Sequence, residues 1–303
     1  GRSTLVRGYL GSNEGREAVY SHLLQVSYPA DGDDADSIRA LAKVRKLRDA
    51  RLVDLAVFAP QWAVLIEEAL GWDGLADGVW WYHAHTKDDR WTVDHEVRET
   101  WAALSAERTP LAAEDLVAGA VDVGWYRRAR TALGDDRWKV LHKAAKLASG
   151  GSGHRRAQLF AEAMDGSVSG PALRDRIAAK RHQDSVRALG LVPLPDDPAK
   201  RDAAALDRYG VLREFERGSK AFGSQRQASE AAAVRIGVEN LARTAGYPDP
   251  QRFIWAMEAA EAGDLADGPV VVADGDLTVT LSVDSEGTPA IAVARGDKKL
   301  ASV

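Results

Sequence analysis

The sequence predicts a mainly α protein, a helical-repeat-like array of solenoid or irregular-bundle type, closed by a small C-terminal antiparallel β ribbon. Three observations carry this expectation. Apolar residues recur at helical spacing from about Glu14 to Ala262. Trp62 is followed seven residues later by Ala69-Leu70-Gly71, and Trp125 at the same distance by Ala132-Leu133-Gly134. Beyond Pro269 the apolar period changes to two, the spacing of a half-buried strand. A common apolar anchor with a glycine stop suggests stacked units that bury their faces on their neighbours. Ala188-Leu189-Gly190 ends a third such helix, with Arg181 where the tryptophan would stand. Glycine is also the ordinary helix stop, so these endings can recur without a repeat.

Taken in order, Glu14 to Ser27 reads as a helix ended by Tyr28-Pro29. Ser37 to Leu47 and Arg51 to Phe58 read as two more, separated by a charged kink. Pro60 opens a helix at its first turn, and Gly71 stops it. Leu75 to His85, Val93 to Ala106 and Ala112 to Ala120 follow, then the segment of Trp125, then Asp135 to Ala148. Ala157 to Met164 is helical, and a further helical run carries Lys180 to Ser185 and ends at Gly190. The three prolines between Leu191 and Ala199 forbid continuous helix. Ala203 to Ala245 reads as a long helical region interrupted near Gly218 and Gly223, and Gln251 to Ala262 as one more helix.

Leu277, Val279, Leu281 and Val283 alternate with Thr278, Thr280 and Ser282, Asp284 to Gly287 is a hairpin turn, and Ala290 to Ala294 returns. Val270 to Ala273 is an earlier strand. So short a ribbon should rest an apolar face on the helices or on residues beyond this sequence. The regions expected are therefore 1–190, a long helical region over 191–268, and the ribbon over 269–303. The start at Gly1 and the strand-like end at Ala301-Ser302-Val303 lead us to expect a segment of a longer protein.

A net charge of -5 argues against a protein whose whole surface coats nucleic acid, although a local basic patch is compatible with it. The absence of cysteine excludes disulfides, thiolate nucleophiles and cysteine-ligated metals, and fits a reducing cytoplasm. No apolar run reaches the ~20 residues of a membrane-spanning helix. No cofactor motif is present: the glycine-rich turn lacks the Gly-Lys-Ser or Gly-Lys-Thr of a phosphate loop.

That turn, Ser149-Gly150-Gly151-Ser152-Gly153, nevertheless runs into His154-Arg155-Arg156 at a helix start, where free N–H groups and the helix dipole favour an anion. The candidate anion site is Gly150, Gly151, Gly153, His154, Arg155, Arg156, Lys180, Arg181, His182 and Arg226, with Arg187 beside it if the helices pack into a basic groove. A helix-to-helix turn with solvated arginines explains the same residues. His182, Asp184 and Ser185 have the residue types of a catalytic relay, but at this spacing on one helix Asp184 points elsewhere, so no catalytic residue is assigned.

His83 and His85 share a face only in extended structure, where Asp88, Asp89 or His95 would complete a metal site. In a helix they diverge, and the tryptophan-rich surroundings favour an aromatic core with hydrogen-bonded histidines. Trp62, Trp72, Trp80, Trp101, Trp125 and Trp138 are expected to join the helices. Stacking on bases, the alternative, would need exposed rings in a basic channel.

The runs SHLLQVSYPA, LAVFAPQWAVLIEEALGW, WWYHAHT, ASGGSGHRRAQLF, KRHQDSVRALGLVPL, FGSQRQASE and ENLARTAGYPDP stand in this order along nearly the whole chain. Together they resemble the large bacterial proteins described as similar to the molybdate metabolism regulator, which carry domains of unknown function. The resemblance implies a longer protein in which further helices follow the ribbon, a regulatory or stress role, and no assigned catalytic residue. Some such proteins also carry a tryptophan-glycine-arginine module linked with nucleic-acid biology, and that tripeptide is absent here. The function expected is a non-catalytic scaffold or interaction segment, with other domains of the same chain and protein partners as its contacts. The alternative is phosphate, nucleotide or nucleic-acid backbone binding at the glycine-rich helix start.

Overall fold

In a computed structural model that describes residues 15–86, 95–149, 154–296 and 298–300, helices hold the chain as far as Ala266 and strands take over at Val270. The first helices are α1 (Arg16–Val26), α2 (Ala35–Val44), α3 (Asp49–Phe58), a 3-10 turn at Pro60–Trp62, α4 (Ala63–Leu70), α5 (Leu75–His85), α6 (His95–Ala106), α7 (Ala113–Ala118) and α8 (Val123–Ala148). After these come α9 (Arg155–Met164), α10 (Gly170–Lys180), α11 (Gln183–Leu189), α12 (Pro198–Gly218), a 3-10 turn at Ser219–Ala221, α13 (Ser224–Ala245), α14 (Pro250–Glu261) and α15 (Gly263–Ala266). The strands are β1 (Val270–Asp274), β2 (Leu277–Val283), β3 (Pro289–Arg295) and β4 (Lys298–Leu300).

Side chains placed one residue before a helix account for several starts. Asp34 accepts from the Ser37 N–H at 2.7 Å, Asp122 from Trp125 at 3.0 Å, Asp197 from Lys200 at 2.9 Å and Asp249 from Arg252 at 2.8 Å. Pro198 and Pro250 occupy the first turns of α12 and α14, where a missing N–H leaves no bond unmade. Left-handed glycines end α4 and α13, at Gly71 (φ 62°) and Gly246 (φ 83°).

The look-alike stretches differ in detail. Gly134 (φ 70°, ψ 172°) breaks the helical backbone inside α8 rather than ending an element, and Gly190 keeps a right-handed backbone (φ -69°). The run through Lys180 to Gly190 is two helices, not one. Arg181 takes a left-handed conformation (φ 47°) between α10 and α11, a break with no glycine to announce it.

α8 receives both α3 and α5, while α4 lies against α2 and α3. In the second half α13 is the hub, packed by α11, α12 and α14, and α9 joins the halves by touching α5, α8 and α11. One hydrophobic core runs from Leu52 to Met257 and crosses the proline-rich segment without a gap, since Leu189, Leu191 and Val192 share it with Leu212 and Leu241. Its largest pieces are Trp80, Trp81, Tyr82, Trp125 and Tyr126, each a ring that removes about 150–250 Å² from water. Trp101 and Trp138 are buried with them, Trp62 and Trp72 pack at the edge, and Trp255 stands 61% exposed.

The four strands form one antiparallel sheet in the order β1-β2-β3-β4. Its register aligns Val272 with Val279, Val279 with Val293, and Val293 with Leu300. Among the described residues no helix packs closely on this sheet, and its buried Val293 lies outside the helical core. Of the two supports expected for the ribbon, the helices or residues beyond this sequence, the first is not seen as a close packing among the described residues. Four paired strands replace the two or three foreseen, and they supply cross-strand contacts that a shorter ribbon lacks.

Candidate functional site

The residues singled out as an anion site fall into two groups, each spent largely on the fold. The glycines Gly150, Gly151 and Gly153 lie outside the described residues. Next to them, Arg155 is exposed, whereas Arg156 is buried. Arg156 donates Nε to the carbonyl of His85 at 3.0 Å and a terminal nitrogen to the carbonyl of Val117 at 2.8 Å. Those carbonyls close α5 and α7, so a guanidinium there meets unpaired acceptors and the negative end of each helix dipole.

The same device recurs on α11. Arg187 donates Nε to Ala118 O at 2.8 Å and a terminal nitrogen to Asp184 at 3.3 Å. From α13, the fully buried Asn240 donates to Gly119 O and to Arg187 O, both at 3.2 Å, and accepts from Val121 N–H at 2.9 Å. Gly119 (φ 108°) is obligatory at this spot: a Cβ would meet the Arg187 side chain at 2.7 Å. Three elements thus tie the end of α7 and the four-residue turn after it to the rest of the molecule.

His154 is buried. Its Nδ1 and backbone N–H both meet Ser149 Oγ at 3.3 Å, and its ring lies 5.7 Å from that of His142, whose Nδ1 meets Tyr82 OH at 2.9 Å. Burial lowers the pKa of both histidines and so disfavours a cationic charge on either at the helix start.

The second group gathers where α10, α12 and α13 meet. Arg181 donates Nε to Glu230 at 3.0 Å and a terminal nitrogen to Phe215 O at 2.7 Å, and its guanidinium lies 4.1 Å from the Phe215 ring centre. Arg226, one helical turn before Glu230, donates Nε to the same carboxylate at 3.0 Å and stacks on Phe222 at 3.8 Å. The Glu230 side chain is 1% exposed. Hydrogen bonds from Arg181, and then from Arg226, hold its carboxyl below the ordinary 4.5. Gly218 leaves the space, since a Cβ there would lie 3.1 Å from the Arg181 guanidinium. Arg181 and Arg226 do converge, but on a carboxylate of this chain. They do not join Arg156, whose guanidinium is committed to α5 and α7.

Lys180 is exposed at the end of α10. His182 caps α11: its Nδ1 accepts from Ser185 N–H at 3.2 Å and meets Ser185 Oγ at 2.8 Å, while Asp184 turns to Arg187. The His-Asp-Ser types are thus a helix start. Arg187 faces inward and lines no groove with Lys180.

Two open clefts flank the first turn of α13. One, of about 380 Å³, is lined by Arg181, Gln183, Gln225, Arg226, Ser229 and Glu230. The other, of about 540 Å³, has Arg213, Arg217 and Lys220 around the single acid Glu216, with Ser224 and Gln227 from α13.

The histidines of α5 part as helical geometry requires. His83 Nε2 meets Val57 O at 2.7 Å, and its ring lies 5.1 Å from Trp101. His85 is sealed beside Trp81 and Phe160, with ring centres at 4.9 and 5.9 Å, and burial pushes its pKa down to about 3. His95 is exposed beside Glu99, and Asp88 and Asp89 lie outside the described residues. No group of three or more His, Asp or Glu side chains among the described residues is arranged to hold a metal.

Sequence reasoning missed Asn240 and Glu230. A signal for both existed: each is a polar residue at an inward position of α13, among Ala233, Val234, Val238 and Leu241. A single sequence does not reveal the carbonyls or cations they meet.

Fold and site together define a helical array whose buried cations brace its own helix ends, followed by an antiparallel sheet on which, among the described residues, no helix packs closely. The chain belongs to DUF5724, a family of unknown function, whose model matches residues 1–257. The match ends inside α14 and leaves the sheet beyond it. No curated protein and no solved structure matches the chain.

Proposed function

We propose that this chain is a non-catalytic scaffold or interaction segment of a larger bacterial protein, working in the cytoplasm and contacting other domains of the same chain and protein partners. The observation that carries the reading is the internal use of its chemically pointed residues. Arg156, Arg187 and Asn240 brace the turn after α7, and Arg181 and Arg226 share Glu230. Exposed apolar side chains are concentrated instead at the two ends of the chain, including Tyr20, Leu23, Leu41 and Val44 on α1 and α2 and Val272 and Ile291 on the sheet. Exposed apolar side chains gathered on a few elements are what contact with other protein would cover. The absence of cysteine agrees with a reducing compartment. The resemblance to molybdate-regulator-like proteins supports a regulatory setting in a longer chain.

A second reading, binding of a phosphate-rich ligand, draws on the cleft that holds Arg213, Arg217 and Lys220 against the single acid Glu216. Titration of short single- and double-stranded oligonucleotides at low and moderate salt separates the two. The scaffold reading expects no salt-dependent binding. Binding that weakens steeply with salt, and again in Arg217→Ala with Lys220→Ala or in Arg155→Ala, would replace it with the second reading.

A further inference from the structure

The two faces of the sheet differ in chemistry. One carries the aliphatic Val270, Val272, Leu277, Val279, Leu281, Val283, Ile291, Val293 and Leu300, with Pro289 at one end and the charged Asp274, Arg295 and Lys298 at the other. The opposite face is mostly small or polar, with Thr278, Thr280, Ser282, Ala290, Ala292 and Ala294. A sheet patterned in this way packs its aliphatic face on something. Within the described residues no helix packs closely on the sheet; Val272 and Ile291 are 62% and 63% exposed, Leu277, Val279 and Leu281 are half-buried, and Val293 is buried.

We propose that the aliphatic face is closed by the same face of a second copy of this chain. This rests on the scaffold reading and names one of its partners. The argument is the order of residues across the face. The pairing sets out one row as Asp274, Leu277, Arg295, Lys298, the next as Val272, Val279, Val293, Leu300, and a third as Val270, Leu281, Ile291. A two-fold axis along the strands lays β1 over β4 and β2 over β3 of the second copy while keeping each row over its own row. Val272 then faces Leu300, Val279 faces Val293, and Leu281 faces Ile291. In the charged row, Asp274 of each copy faces Lys298 of the other, with Arg295 beside it. Leu277 falls opposite Arg295, whose guanidinium pairs with Asp276 of its own chain at 3.6 Å, so the face is self-complementary in its two apolar rows and at the Asp274–Lys298 corners. Strands of the two copies run nearly aligned, about 10 Å apart, as in a sandwich.

Strands at about 4.8 Å spacing and about 3.4 Å per residue give this face roughly 400 Å² of footprint. Two such faces bury on the order of 800–1,000 Å², below the roughly 1,200–2,000 Å² of stable interfaces and in the range of weak, transient ones, so the dimer is reversible and depends on concentration.

Sedimentation velocity over a wide concentration series reads the outcome. The expected result is a monomer–dimer equilibrium that Val279→Lys abolishes and Thr280→Lys, on the opposite face, leaves unchanged. Asp274→Lys and Lys298→Asp, both at the exposed rim, each weaken the dimer about tenfold by setting like charges opposite one another. The double variant restores it to within about twofold of the parent, because the pair is merely exchanged. Restoration also shows that neither rim substitution acts by unfolding the sheet. A chain that stays monomeric throughout, a dimer indifferent to Val279→Lys, or rim effects that add instead of cancelling would each overturn the proposal. A monomer that ignores oligonucleotides removes this interface and leaves the scaffold reading standing. Salt-dependent oligonucleotide binding overturns the scaffold reading itself.

Discussion

Gly190 lies directly on the backbone of Gly237: a Cβ built on Gly190 would come within 2.4 Å of the Gly237 carbonyl oxygen and 2.6 Å of Leu241 N. The contact is reciprocal, since a Cβ on Gly237 would meet the Val186 carbonyl at 2.8 Å. Two bare backbones let α11 and α13 approach more closely than any side chain would allow. Gly190→Ala should force them apart and lower stability by about 3 kcal/mol. Gly210→Ala, in a helix with nothing within 4 Å of the new methyl, should raise it by about 0.5–1 kcal/mol. Urea denaturation of the two variants checks both signs.

Glu230→Gln keeps the shape of the side chain but leaves Arg181 and Arg226 sharing a neutral partner, and should cost about 3 kcal/mol at pH 7. The cost depends on pH in a definite sense. Because the carboxyl is held below its ordinary 4.5 in the folded protein, its contribution is complete above that value and is lost as pH falls through the folded pKa. The gap between parent and variant should therefore narrow below about pH 4.5. Equal gaps at pH 7 and pH 3 would show that the ion pair is not what the substitution removes.

His85 behaves in the opposite chemical sense. Enclosure among rings holds it neutral down to about pH 3, while the unfolded chain takes up a proton near 6.5. Between those values protons favour unfolding, by about 1.4 kcal/mol per pH unit for this one site. His85→Phe should remove that slope and change stability at pH 7 by less than about 1.5 kcal/mol, the ring being replaced by one of similar size. Stability curves at pH 7, 5 and 4 decide it.

Asn240→Ala would strand the Val121 N–H and deprive the carbonyls of Gly119 and Arg187 of a donor. The expected cost is about 3 kcal/mol. Hydrogen exchange should quicken most at Val121. Exchange that quickens evenly along the chain would point to general loosening instead.

Local chemistry made most helices legible. Leu75 to His85 was read with its observed bounds, and the interruptions near Gly218 and Gly223 stand where glycine placed them. What escaped was long-range or lacked a local mark. Arg181 breaks a helix in a conformation that glycine usually takes, and it is held there by Glu230, 49 residues away. Gly190 ends α11 as read, but it also lets a second backbone approach, which its place at a helix end does not announce. Arg156 looked like an anion ligand because an arginine at a helix start often is one. Its acceptors, His85 O and Val117 O, are 71 and 39 residues distant, and no spacing rule reaches that far. The sheet was visible from alternation alone, but whether a helix covered it was not, because alternation marks a face and leaves its neighbour unspecified.

Arrays of stacked helices commonly fray from their ends, each unit leaning only on the next. The turn after α7 works against such peeling, because α9, α11 and α13 all hold it by polar bonds across intervals of up to 121 residues. Heat should therefore melt the helical body in one steep transition, with no half-melted species, and shortening the chain from its α13 side should loosen α7 as well.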